Sequence, residues 1–327
     1  MEDNWGRRNE IVKLDEATLR QMLKPVTGER EIASFELLTT GKANTSYKVQ
    51  LDGLAEPLLL RLHIRDQLSC QKEFNIFQAL HTKVPMAEIL YFEPSPTEFG
   101  FPYSINKWVE GQLLDHVFSS QDIAAVSQVA YKVGATLAAI GTYRFSQPGL
   151  LDHNLEISLP FSSTAESWAS FIRRSLSDGH TGRHLWQGWS ERLEQLITEN
   201  NTYLNQLPDS SSLVHADFKG LNILVHRAKT DWRVAAVLDW EFAYAGSPLS
   251  DVGTIMRHQN RFNPAFKLPF INGFAGQGGQ LPEDWEKAAR LLDLLNLCDF
   301  LNQPEPDATL RLEVTRLIIE TIKIYDN

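Results

Sequence analysis

The chain has 327 residues, 43% of them hydrophobic and 22% charged, which is ordinary globular composition and enough length for two bodies with separate cores. Its net charge of −10 excludes the basic footprint that nucleic-acid binding requires. The first ten residues are polar and mixed in charge, unlike a signal peptide, and no apolar run approaches the roughly 20 residues of a membrane helix, so the expectation is a cytoplasmic protein with no membrane partner.

In chain order, Asp15 to Lys24 carries helix formers behind a possible Asp15 cap, and Pro25 is expected to stop them. Phe35–Leu38, Ser46–Leu51 and Pro57–Leu62 read as short strands, separated by turn-like segments around Gly41 to Asn44 and at Asp52-Gly53. Gln71 to His81 reads as a helix with Phe74, Phe77 and Leu80 on one face. Ile89–Phe92 and Tyr103–Val109 read as two further strands. After Gly111 the pattern changes. Ile123, Val126, Val129, Val133, Leu137 and Ile140 recur at steps of three and four, the mark of a buried helix face. Helices are also expected at Ser167–Leu176, Trp189–Leu204, Trp285–Leu301 and Leu310–Ile324, with strand signal only at Leu213-Val214, Ile223–Val225 and Val234–Leu238. A sheet-rich part is thus followed by a mainly helical one, and a cleft between the two is where a ligand is expected.

The chemistry concentrates in the second part. Leu213-Val214 delivers His215-Ala216-Asp217, four residues separate Asp217 from Asn222, and a second apolar run leads to Asp239-Trp240-Glu241. A carboxylate that orients a hydroxyl, oxygen ligands for a divalent cation and a rigid turn between them are what phosphoryl transfer needs. Any one of these residues alone is explained by ordinary turn chemistry; the ordered set His215, Asp217, Asn222, Asp239 and Asp251 between apolar strands is not. This set resembles the kinase catalytic loop, His-x-Asp-x-x-x-x-Asn followed by a metal-binding Asp. With Ala216 where protein kinases keep an arginine, and Ala236 to Ala243 followed by Gly246-Ser247-Pro248 and Asp251, it resembles most the aminoglycoside-phosphotransferase and choline-kinase branch.

The resemblance implies an α+β, bilobal, protein-kinase-like fold: a small antiparallel-sheet N-lobe for nucleotide in residues 1–109, and a larger, mainly helical C-lobe for catalysis and acceptor in residues 110–327. It implies ATP as phosphoryl donor, with GTP as the alternative, and Mg²⁺ as cofactor. Asp217 becomes the catalytic carboxylate, supported by His215 and Lys219, and Asn222 and Asp239 the metal ligands. Gly41, Asn44 and Ser46 fall in the hairpin that covers the phosphates, Arg61 in the place of the strand lysine with Glu73 as its helix partner (Arg65 competes for that place), and Lys107, Trp108 and Val109 in the hinge whose backbone meets adenine. Asp251 is expected to anchor the loop; the roles of Lys219 and Glu241 stay open.

The acceptor is expected to be a small hydroxylated molecule such as an aminoglycoside, another amine or a sugar alcohol. The first 109 residues carry 13 Lys and Arg against 15 Asp and Glu and the remainder 18 against 26, an acidity that suits a cationic acceptor but also any soluble protein. Asp293, Asp299 and the Trp168–Trp189 region are candidate acceptor contacts. A nucleotide-binding pseudokinase is the alternative reading, although each expected catalytic position holds a competent residue. His180 and His184 stand four apart, but Gly179 and Gly182 suggest a loop and no third ligand lies nearby, so a metal site is not expected there. Cys70 and Cys298 make no metal spacing, and neither a Walker motif nor a Gly-x-Ser-x-Gly elbow is present.

Overall fold

The computed structural model describes residues 10–326, except 40–43, 97–98, 119, 162–163, 206, 208–209, 230 and 260–261. The chain enters through α1 (Glu16–Thr27), capped by Asp15, whose carboxylate accepts from Thr18 N. Pro25 does not stop this helix. It lies in the last turn, and the helix closes two residues later where Gly28, at φ +64°, returns its N–H to Lys24 O.

The N-terminal sheet comprises β1 (Ile32–Leu38), β2 (Thr45–Leu51), β3 (Leu58–Leu62), β4 (Ile89–Glu93) and β5 (Tyr103–Lys107), all antiparallel in the order β1-β2-β3-β5-β4. Strand alternation sorts it into two faces. Tyr47, Val49, Leu51, Leu58, Leu60, Leu62, Tyr103 and Ile105 form a closed core with Leu19, Met22 and Leu23 of α1. The opposite, front face is polar: Ser46, Arg61 and Ser104 align across three strands, and Lys48, Leu59 and Asn106 align one step along.

α2 (Ser69–Leu80) joins this sheet to the rest of the molecule. Phe74, expected on the same face as Phe77 and Leu80, instead stacks on Phe92 of β4 with ring centroids 3.8 Å apart. Ile76 and Leu80 belong to a second, larger core. The helix turns one side to each body, which the i, i+3, i+6 count could not separate.

The larger body follows as β6 (Gln112–Leu113), α3 (Leu114–Phe118), α4 (Ile123–Ile140), β7 (Gly149–Leu151), β8 (Ile157–Pro160), α5 (Thr164–Ser177), α6 (Thr181–His184), α7 (Gln187–Asn205), β9 (Ser212–Val214), β10 (Ile223–Ala228), β11 (Asp231–Val237), β12 (Tyr244–Gly246), α8 (Leu249–Met256), α9 (Lys267–Gly276), α10 (Trp285–Leu301) and α11 (Ala308–Tyr325). Two small antiparallel sheets, β11-β10-β6 and β8-β7-β12-β9, lie among the helices. Among the described residues α4 alone is long and apolar enough, by length and composition, to cross a membrane, more than the run-length count suggested. It is the central core helix: half of it is buried, and α9 lies directly on it. A Cβ on Gly134 would stand 2.0 Å from Phe270 O and one on Gly273 2.0 Å from Tyr131 O, so only glycine permits this backbone approach.

Several elements escape pattern reading. α8 is buried at every position and so has no polar face to give a period. β6, β7 and β12 are two or three residues long.

Candidate active site

β9 leads into the catalytic-type loop, and the first turn of α8 holds it. Asp251, fully buried, accepts His215 N–H at 2.7 Å on one carboxylate oxygen and Ala216 N–H at 2.8 Å on the other. This clamp holds Ala216 at φ +68°, a left-handed conformation that costs a non-glycine residue about 1–2 kcal/mol. Burial pushes the Asp251 carboxyl up to about 7, against the pull of the two N–H donors.

The His215 ring has both nitrogens occupied by backbone. Nδ1 accepts from Asp217 N–H at 3.2 Å and Nε2 donates to Leu238 O at 2.8 Å. Burial pushes its pKa down to about 4, so the ring is neutral with its proton on Nε2. His215 therefore ties the loop to the end of β11, and its ring is a brace between backbones rather than a group presented to a ligand, contrary to the catalytic reading of its sequence position.

Asp217 is mostly buried and faces two side chains. One carboxylate oxygen accepts from Asn222 Nδ2 at 2.8 Å; the other lies 3.0 Å from Lys219 Nζ. The same Asn222 amide nitrogen donates to Asp217 O at 2.9 Å, which commits Asn222 to present its Oδ1 elsewhere. Leu238 N–H donates to Asn222 O at 2.8 Å and sets Asp239 beside the loop, at φ +61°.

The front face of the N-terminal sheet closes on this loop through one ion-paired group. Arg61 Nη1 lies 2.6 Å from Asp239 Oδ1, and Nη2 lies 3.4 Å from Glu73 Oε1 on α2. Burial opposes the Arg61 charge, but Glu73, Asp239 and Glu241 outweigh it and hold the guanidinium firmly protonated. Burial likewise works against the Asp239 carboxylate, yet Arg61 keeps it below its usual range. Glu73 is pushed up to about 7, burial exceeding the pull of Arg61. Glu241 is buried, not exposed: Arg65 Nη1 is 3.7 Å away, and burial raises its pKa. Arg65 thus pairs with Glu241 and lies over the Phe242 ring, leaving the Glu73 partnership to Arg61. Lys72 donates to Glu241 O at 3.2 Å, a second strut from α2 that a lysine beside Glu73 gave no sign of in sequence.

The other residues expected to meet nucleotide fall into three groups. Gly41 lies outside the described residues. Ser46 sits opposite Arg61 on the front face, and Trp108, whose N–H donates to Pro57 O at 3.3 Å, has Lys48 Nζ 4.2 Å from its ring centroid. Val109 follows it, half-buried. Asn44 and Lys107 have partners within the protein. Asn44 Oδ1 accepts from Ile64 N–H and Arg65 N–H at 3.0 and 3.4 Å, so its carbonyl clamps the chain leaving β3. The Lys107 side chain is exposed and ion-paired with Glu88 at 2.6 Å, and its backbone N–H donates to Glu88 O at 2.9 Å.

Of the acceptor candidates, Asp293 is buried and held by Arg257 through bonds of 3.0 and 2.7 Å, and Trp168 is a core residue whose indole N–H bonds Leu291 O. His184 Nε2 bonds Gln303 O at 3.1 Å at the end of the short helix α6, where a loop was expected. Among the described residues no group of three or more His, Cys, Asp or Glu is arranged to hold a metal ion. Magnesium is commonly bound by one or two carboxylates, with substrate phosphates and water as its other ligands. The oxygen donors of an Asp carboxylate and an Asn amide fit that ion.

The family model described as Phosphotransferase enzyme family matches residues 34–291. Among curated proteins, Acyl-CoA dehydrogenase family member 11 of Mus musculus is 28% identical over 221 residues, covering 65% of this chain and 25% of that protein. Probable acyl-CoA dehydrogenase IBR3 of Arabidopsis thaliana is 23% identical over 265 residues, covering 78% of this chain and 30% of that protein. The chain spans between a quarter and a third of these relatives. Among solved structures, an aminoglycoside phosphotransferase in ternary complex with ADP and hygromycin B superposes with a TM-score of 0.68 at 17% identity, covering 94% of this chain and 98% of that one. The GDP complex of an aminoglycoside 2′-phosphotransferase gives 0.67 at 14% identity, covering 95% and 96%. These likenesses carry the fold, which is the bilobal protein-kinase-like one.

Proposed function

The chain belongs to the phosphotransferase enzyme family, and on that premise we propose that it is an ATP- and Mg²⁺-dependent kinase that moves the γ-phosphoryl group to a hydroxyl of a small molecule. The observation that carries this reading is the convergence of Asp217, Lys219, Asn222, Asp239 and Arg61 at one edge of the cleft.

In this reading residues 1–109 hold the nucleotide and residues 110–327 supply the catalytic loop and the acceptor. The front face around Ser46 lies over the phosphates, with Asn44 bracing the chain beside Arg61. Arg61 turns from Asp239 to the phosphates while Glu73 keeps hold of its other edge. Asn222 Oδ1 and the Asp239 carboxylate hold Mg²⁺, which when bound neutralises phosphate charge. Asp217 orients the acceptor hydroxyl and takes its proton as the oxygen bonds to the γ-phosphorus and the bond to the β–γ bridging oxygen breaks. Lys219 pairs with Asp217 at 3.0 Å and faces the charge on the moving phosphoryl group. His215 positions the loop. Most of the acceleration comes from placement and charge neutralisation rather than from basicity.

Two acceptor classes have support. Amines and sugar alcohols are favoured by the acidity of the second part of the chain and by the hygromycin-bound fold neighbour. An acyl-CoA bearing a hydroxyl is favoured by the curated relatives, which are named as acyl-CoA dehydrogenases and are closer in sequence than the fold neighbours. Mg²⁺-dependent ATP consumption measured across aminoglycosides, amino alcohols, sugars and hydroxyacyl-CoA thioesters tests the proposal and ranks the classes. Acceptor-stimulated turnover supports a kinase; tight nucleotide binding with no acceptor across the panel favours the pseudokinase reading instead.

A further inference from the structure

The proposed donor leaves its base open between adenine and guanine. Beside Arg61 on the sheet lies a run of buried polar side chains that bears on the choice. His63, Ser69, Ser104 and Asn106 are all more than nine-tenths buried. Ser69 Oγ donates its only proton to Asp66 O at 2.6 Å. Towards His63 it is therefore an acceptor, and the 3.0 Å contact is a bond donated by His63 Nδ1. Burial, reinforced by the neighbouring Arg61 charge, pushes the His63 pKa down to about 3, so the ring is neutral and Nε2 keeps a lone pair. Ser104 Oγ lies 3.4 Å from that nitrogen and donates to it. Ser104 must then accept from its other neighbour, which is Asn106 Nδ2 at 3.1 Å.

The direction of every bond in this chain is set by the carbonyl of Asp66 at its start. The orientation of the Asn106 amide follows: its nitrogen is turned to Ser104 and its oxygen away. A flipped amide would set two lone pairs against each other inside the protein. Among the described residues nothing donates to Asn106 Oδ1. Asn106 stands opposite Leu59 on the same front face as Arg61, and directly precedes Lys107 and Trp108. It is thus a nearly buried acceptor at the hinge end of the cleft roof.

We infer that Asn106 is a base-selecting residue, whose Oδ1 accepts a hydrogen bond from the 6-amino group of adenine and opposes the 6-oxo group of guanine and hypoxanthine. This rests on the proposed nucleotide site. His63, Ser69 and Ser104 are positioning residues that keep the amide from turning.

The test is calorimetric binding of nonhydrolysable ATP, GTP and ITP analogues with Mg²⁺. Wild-type protein is expected to bind the adenine analogue about tenfold or more tightly than either 6-oxo purine, the cost of an unmatched buried acceptor. Asn106→Leu should weaken the adenine analogue about tenfold, leave the inosine analogue unchanged and bring their ratio near one. Ser104→Ala, which frees the amide to turn, should strengthen inosine binding while the adenine analogue changes little. Equal binding of all three analogues by the wild type, a comparison that needs no variant, overturns base selection and leaves the nucleotide site standing. Equal weakening of both purines in a folded Asn106→Leu protein also overturns it. Binding of none of the three overturns the nucleotide site together with the inference.

Discussion

The two sides of the cleft are held by different means. Below, the loop from His215 to Asp239 is fixed by bonds that involve backbone: Asp251 to two N–H groups, His215 to a carbonyl and an N–H, Leu238 to Asn222 O. Above, Arg61 is held by ion pairs alone, to Glu73 and to Asp239. Backbone bonds are directional and have one good geometry, whereas a guanidinium can trade one oxygen partner for another at small cost. The lower side is therefore the more rigidly held, and in the proposed reading the upper side exchanges Asp239 for the nucleotide phosphates.

That contrast predicts where substitutions fall on stability and where on binding. The largest stability effect is expected at Asp251. Asp251→Ala leaves two buried N–H groups without an acceptor and should cost about 2–5 kcal/mol, read as a lowered midpoint in urea unfolding. A fall below about 1 kcal/mol would show that the loop is not held as described.

Next is the response to acid. The unfolded chain takes up protons on His63 and His215 near the ordinary value of 6.5, whereas the folded protein holds them neutral down to about 3 and 4. These two rings should therefore contribute a loss of stability as pH drops from 6.5 towards 4, about 3 kcal/mol each. His215→Asn should flatten that limb even if it lowers stability at neutral pH. Asp251 and Glu73 act in the opposite sense and offset part of this loss, their folded values of about 7 lying above the ordinary 3.8 and 4.5. The contribution of Glu73 declines as pH rises from 4.5 to 7, and Glu73→Gln should remove that decline.

Arg61→Met should weaken Mg²⁺–nucleotide binding by roughly tenfold to a hundredfold, the scale of a lost charge-assisted contact. Arg61→Lys should recover part of it, since a lysine keeps the charge but not the fork. The smallest effect is expected at Lys107, whose side chain pairs with Glu88 on the surface. Lys107→Ala should leave both the urea-unfolding midpoint and nucleotide affinity nearly unchanged. A large loss of affinity there would place the hinge side chain in the cleft after all.

What could be read from sequence follows the same division. Asp217, Asn222, Asp239 and Asp251 stand out because few other residue types suit their places, and because short apolar strands bracket them at fixed spacing. Arg61 and Glu73 were readable through the resemblance to kinases, in which a strand cation is held by a helix glutamate, with Arg65 competing for the place. Side chains that work through long-range partners were not. Asn44 looks like a turn residue, yet it clamps Ile64 and Arg65. His63 follows β3, Ser69 opens α2, and Ser104 and Asn106 lie on β5; they become a set only when β3 pairs with β5. In the fold, long amphipathic helices such as α10 and α11 showed their period, whereas the fully buried α8 had none to show.

The central claim is that Asp217 acts on the acceptor and not on the nucleotide. The direct measurement is Asp217→Ala, with Mg²⁺–nucleotide affinity by calorimetry and turnover on the best acceptor from the panel measured on the same preparation. Affinity within about threefold of wild type, with turnover reduced by about a thousandfold, is the expected result. Turnover that survives the substitution, with affinity intact, would contradict it.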